Sequence, residues 1–77
     1  MNENEYEYQV WDTCSGIVEG KCMKGVFLTL DNGQQAFAYQ YTSLRSGEKV
    51  FCTVKRQADG GQRMLVTIDS TLQYEAA

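Results

Sequence analysis

Gly25-Val26-Phe27-Leu28-Thr29-Leu30-Asp31-Asn32-Gly33-Gln34-Gln35-Ala36-Phe37-Ala38-Tyr39 is the stretch whose reading decides the fold. In its first half Val26, Leu28 and Leu30 alternate with Phe27 and Thr29, the period-two pattern of a strand with one buried face. The second half alternates again, with Ala36 and Ala38 on one face and Phe37 and Tyr39 on the other. Between them Asp31-Asn32-Gly33 is turn chemistry, because Asn and Gly accept a positive φ at little cost. The stretch predicts a β-hairpin.

The same period continues outward. Val50, Cys52 and Val54 alternate with Phe51, Thr53 and Lys55, and Met64, Val66 and Ile68 alternate with Leu65 and Thr67. Asp59-Gly60-Gly61 between these runs predicts a second hairpin turn. Upstream, Gly16 and Gly20 interrupt a first strand at positions that even spacing turns inward. A glycine inside a strand marks a bend or bulge where a sheet curls, so a barrel is expected rather than a flat sheet. No window sustains a helical period; one turn within residues 41–46, ended by Gly47, is the only helical candidate. Five strands within residues 11–70 predict an all-β, five-stranded antiparallel Greek-key barrel, with the OB-fold as the expected form and an SH3-like barrel as its competitor. Residues 1–10 read as an acidic arm or an extension of the first strand, and residues 71–77 as a tail.

Composition narrows the function. The chain has 77 residues with 10 acids, 7 bases, no His, no Pro and 3 Cys. No run approaches the roughly 20 apolar residues of a membrane span, and no basic, apolar leader opens the chain. Without His and without a CxxC spacing, neither a metal site nor a His-based catalytic group is expected. There is no G-x-S-x-G, no P-loop and no suitably spaced pair of carboxylates. A chain this small buries only about 60% of its unfolded surface. These points favour a binding module that needs no cofactor over an enzyme. Cys14, Cys22 and Cys52 fall at even spacings in strand-like runs and read as small buried hydrophobes, which suits a reducing cytoplasm. Charge is segregated. Glu3, Glu5, Glu7 and Asp12 precede every base, whereas residues 13–69 hold all 7 bases against Glu19, Asp31, Glu48, Asp59 and Asp69. The body is therefore mildly basic inside a chain of net charge −3.

A longer series of residues is more specific. Gly16-Ile17-Val18, then Lys24-Gly25-Val26-Phe27-Leu28, Ala36-Phe37-Ala38-Tyr39, Leu44 with Gly47-Glu48-Lys49-Val50, and Asp59 with Arg63 and Thr67-Ile68 follow one another in order. The series resembles the S1 RNA-binding domain, a branch of the OB-fold, over about residues 14–69. Where that family has a Gly, a His and a Ser around its third strand, this chain has Ala36, Tyr39 and Tyr41, and the connection from Tyr39 to Gly47 is short. The resemblance implies single-stranded RNA lying across the second and third strands, met by Lys24, Phe27, Tyr39, Asp59 and Arg63. Phe27 and Tyr39 would stack on bases, Arg63 and Lys24 would meet phosphates, and Asp59 would accept from a base amino group or pair with Arg63.

Each residue also has a plainer reading. Period two puts Phe27 outside, and a shifted register puts it in the core. Phe37 either fills the barrel or joins the ligand face. Asp59 with Gly60-Gly61 also reads as a turn alone, Lys55-Arg56 as a solvated strand end, and Trp11 as a packing residue. The alternative function is a protein-interaction module that uses the same barrel surface without nucleic-acid affinity, a role that the net acidity favours.

Overall fold

The computed structural model describes residues 6–41 and 43–71. Five strands form: β1 (Thr13–Lys21), β2 (Gly25–Leu30), β3 (Gln35–Tyr39), β4 (Lys49–Arg56) and β5 (Met64–Thr71). They close in the order β1-β2-β3-β5-β4, with β4 returning to β1. All pairs are antiparallel except β3–β5, a short parallel seam joining Ala36 to Met64 and Phe37 to Leu65. This is the five-stranded closed barrel of the OB-fold, as the strand pattern predicts. Of the expected arm and tail, residues 1–5 and 72–77 lie outside the described residues.

Both predicted turns form. Leu30 and Gly33 close a three-residue loop: the Gly33 amide donates to the Leu30 carbonyl at 2.9 Å, and the Leu30 amide donates to the Gln34 carbonyl at 2.8 Å. Gly33 is left-handed, with φ 91°, as such a loop requires at its last position. Asp59 and Gln62 exchange both backbone hydrogen bonds, at 3.1 and 2.8 Å. The two glycines between them have φ 55° and 85°, the pattern of a tight primed hairpin turn. Of the one turn expected within residues 41–46, the structure has a single hydrogen-bonded reversal, the Leu44 amide donating to the Tyr41 carbonyl at 3.1 Å, and no helix; Thr42 lies outside the described residues. Leu44 is buried there instead, and left-handed Gly47 leads into β4.

The hairpin settles the faces. Leu28 pairs with Ala36 and Val26 with Ala38, all four fully buried, so Phe27 and Phe37 stand opposite each other on the outside. The core is Cys14, Val18, Val26, Leu28, Leu30, Ala36, Ala38, Leu44, Val50, Cys52, Val54, Met64, Val66 and Ile68, with Tyr8 packed against it from the N-terminal segment. A small barrel needs small residues on part of its inner face, which is why the alanines go inside and the aromatics outside. The hairpin is also very close at Gly25, where an added Cβ would lie 2.0 Å from the Ala38 carbonyl oxygen.

β1 departs from its expected parity. Val18 pairs with Leu28, but Gly20 pairs with Phe27, so Glu19 is an extra residue in a β-bulge. The Ser46 hydroxyl donates to the freed Glu19 carbonyl at 3.2 Å. The bulge reverses the alternation beyond it. Gly20 therefore opposes outward-facing Phe27 instead of facing inward, and Cys22, expected in the core, is exposed just past the strand end. Cys14, which precedes the bulge, and Cys52, its regular partner on β4, are buried as expected and face each other with their sulfurs 3.6 Å apart.

Candidate nucleic-acid interface

One rung crosses the outside of the barrel from β1 to β4. Gly20 pairs with Phe27, Phe27 with Phe37, Phe37 with Leu65, and Leu65 with Arg56. Phe27, Phe37 and Leu65 point outward because their neighbours along each strand are core residues. The Phe27 and Phe37 rings lie 5.1 Å apart at an angle of 57°. Phe37 and Tyr39 are edge-to-face, also at 5.1 Å. Such contacts hold the rings in defined orientations without burying their faces. Arg63, at the mouth of β5, lays its guanidinium over Phe27 at 4.9 Å from the ring centre. Arg56 donates from Nη2 to the Arg63 carbonyl at 3.0 Å, which keeps a second cation beside the first.

Phe27, Phe37, Tyr39, Arg56, Gln62, Arg63 and Leu65 line a shallow depression of about 380 Å³. It shares Gln62 and Arg63 with a depression around the Asp59–Gln62 turn, and Tyr39 and Leu65 with one running to Tyr41 and Thr67. Together they make a trough over the β3–β5 seam. At its far end Gln40 and Tyr41 both have positive φ, 69° and 60°. The chain leaves β3 there in a conformation uncommon for residues other than glycine, and the Gln40 amide is held by the Lys24 carbonyl at 2.8 Å.

Phe27, Tyr39 and Arg63 are thus brought together, with Tyr39 the most open of them at 56% exposure. Lys24 flanks them on the exposed β1–β2 turn, and Asp59 lies in the β4–β5 turn lining the neighbouring depression. Asp59 and Arg63 do not form an ion pair; the guanidinium rests on Phe27. Three further residues share the face. Phe37 sits at its centre, a placement decided by its pairing with Phe27 in the β2–β3 register. Leu65 follows by parity from Met64 and Val66. Arg56, read as a solvated strand end, reaches the site because β4 is bulged at Lys55, which no sequence signal announces. Among the described residues no group of three or more Cys, Asp or Glu is placed to hold a metal ion, and no helix is long and apolar enough to cross a membrane.

No family model matches the sequence, and no curated protein matches it. Among solved structures, the solution structure of GSP13 from Bacillus subtilis is similar, with a TM-score of 0.60 at 19% identity over 80% of this chain. This chain spans 55% of that one. At that identity the likeness is one of fold.

Proposed function

We propose that the outer face of β2, β3 and β5 binds single-stranded RNA, weakly and with little regard to sequence. The observation that carries this reading is the contiguous outward row Phe27, Phe37 and Tyr39 with Arg63 and Arg56 beside it. Flat, half-open rings stack on any base, and adjacent guanidinium groups meet the phosphates between bases. Lys24 extends the cationic side, and Asp59 offers an acceptor for base amino groups at the trough's other end. Neutralising three or four phosphates implies a log–log salt slope of roughly −2 to −3 for a single strand. With two stacked bases the affinity expected near physiological salt is no better than about 10 µM. The three free thiols suit a reducing compartment, and we place the protein in the cytoplasm.

The test is a backbone NMR titration with a short single-stranded RNA at low salt. Shifts on Phe27, Phe37, Tyr39 and Arg63 that fade with salt are expected, and Phe37→Ala should weaken binding by about 1–3 kcal/mol. A folded Phe37→Ala protein that binds RNA unchanged would refute the face. A second reading is favoured by Leu65, an apolar residue beside Phe37 in the rung, and by the net charge of −3: the same surface docks a partner protein. It takes over if RNA leaves the spectrum unmoved.

A further inference from the structure

We propose that Trp11 and Lys55 form a second base-stacking platform, and that the single strand held by Phe27, Phe37 and Tyr39 continues onto it past Arg56. The proposal rests on the RNA reading of the β2–β3–β5 face and extends its path to the β1–β4 side of the barrel.

Trp11 is the chain's only tryptophan, and it is 68% exposed. Its φ is 77°, an outlier for so bulky a residue. Such a conformation persists only where its surroundings over-determine it, and it is concentrated at functional positions. Here the surroundings are explicit. The Trp11 amide donates to the Val54 carbonyl at 2.8 Å, the Val54 amide donates to the Asp12 carbonyl at 2.9 Å, and the Asp12 amide donates to the Gln9 carbonyl at 2.9 Å. The Asp12 carboxylate accepts from the Gln9 amide at 2.8 Å and from the Tyr6 hydroxyl at 2.6 Å. These bonds hold the indole out in water. Lys55 Nζ lies 4.0 Å from the ring centre, so the platform carries its own cation.

The β4 bulge links this platform to the first. Val54 pairs with Val66, but Arg56 pairs with Leu65, so two successive cationic residues oppose one position of β5. Lys55 turns to Trp11, and Arg56 turns to the Leu65 and Arg63 side. Lys55, Arg56 and Arg63, three of the chain's seven bases, thus lie between exposed Trp11 and the half-open rings of Phe27, Phe37 and Tyr39. Of the acids on the Trp11 side, Asp12 is engaged as above and Asp69 accepts from the Thr53 hydroxyl at 2.6 Å. The Trp11 segment, β4, β5 and β3 are successive neighbours, so a single strand following the barrel wall crosses about three strand spacings, roughly 14 Å at the backbone, between the two platforms. Rings separated by cations match the alternation of base and phosphate along a single strand. An acidic peptide would use the cations and leave the rings without a partner.

Because Trp11 is the only tryptophan, its emission reports the platform directly. The experiment titrates the full chain with decauridylate and follows Trp11 emission, with labelled RNA as an independent measure of affinity. Quenching of Trp11 is expected. Trp11→Asn, which removes the ring while keeping a residue that tolerates positive φ, should lose about 5- to 100-fold in affinity. Lys55→Gln should shift affinity in the same direction. If Phe37→Ala weakens decauridylate binding while Trp11 emission stays constant and Trp11→Asn binds normally, this proposal falls and the RNA reading stands. If decauridylate does not bind at all, both fall. Equal quenching by polyglutamate would reduce the platform to simple charge attraction and overturn the proposal.

Discussion

At the scale of single residues, two glycines differ in what a side chain would strike. A Cβ on Gly25 would collide with the Ala38 backbone, which cannot move without opening the β2–β3 ladder; on Gly16 it would first meet the Leu30 Cδ2 methyl, at 3.0 Å. Gly25→Ala is therefore expected at or beyond the upper end of the roughly 1–3 kcal/mol of ordinary overpacking, and Gly16→Ala below it. Urea melts of the two variants check the order, and equal losses would contradict the close approach. The cysteines make a second residue-level test. Cys22 is exposed, whereas Cys14 and Cys52 are buried against each other, and the neighbouring thiol together with burial pushes the Cys52 thiol well above its ordinary range. A thiol reagent should label one site quickly and two only on the timescale of unfolding. Cys22 also shows the limit of counting by twos. Its predicted burial rests on unbroken alternation from Cys14, and a single inserted residue at Glu19 reverses it.

Elements differ in how openly they are written in sequence. The strands and both turns are legible because period two and Asn-Gly or Gly-Gly chemistry are local properties. The β-bulges, three of them in the described ladders, are not, because an extra residue becomes visible only against its partner strand. Two of them decide much of the candidate site, one setting Gly20 opposite Phe27 and the other bringing Arg56 to Leu65. Phe27, Tyr39 and Arg63 were legible, and Phe37 stood undecided for want of the pairing register. The segment before β1 is a bracket: Tyr8 donates from its backbone to the Gln34 side chain at 2.9 Å and from its hydroxyl to Asp31, while Asp12 ties down Gln9 and Tyr6. Those last bonds lower the Asp12 carboxyl below its ordinary 3.8. Their support is present above that value and is lost as pH falls through the lowered one. Trp11 emission should therefore change in acid before the barrel unfolds, and Asp12→Asn should remove that step.

For the molecule as a whole, charge is the controlling quantity. The N-terminal acids oppose an anionic ligand at long range, and salt screens that opposition. Removing residues 1–5, which carry Glu3 and Glu5, leaves the Tyr8 contacts in place and should tighten RNA binding at low salt but not at high salt. Unchanged low-salt affinity would exclude the effect. The barrel's closure has a further consequence. Its parallel seam joins β3 to β5 through only two residue pairs, and the proposed ligand trough runs directly above it. A cylinder hooped everywhere else by longer ladders is buttoned along one short line. A strand laid from Phe37 across to Arg63 and Arg56 would act as a suture over that line, so occupancy should slow amide exchange at residues 36–38 and 64–66 more than anywhere else in the protein.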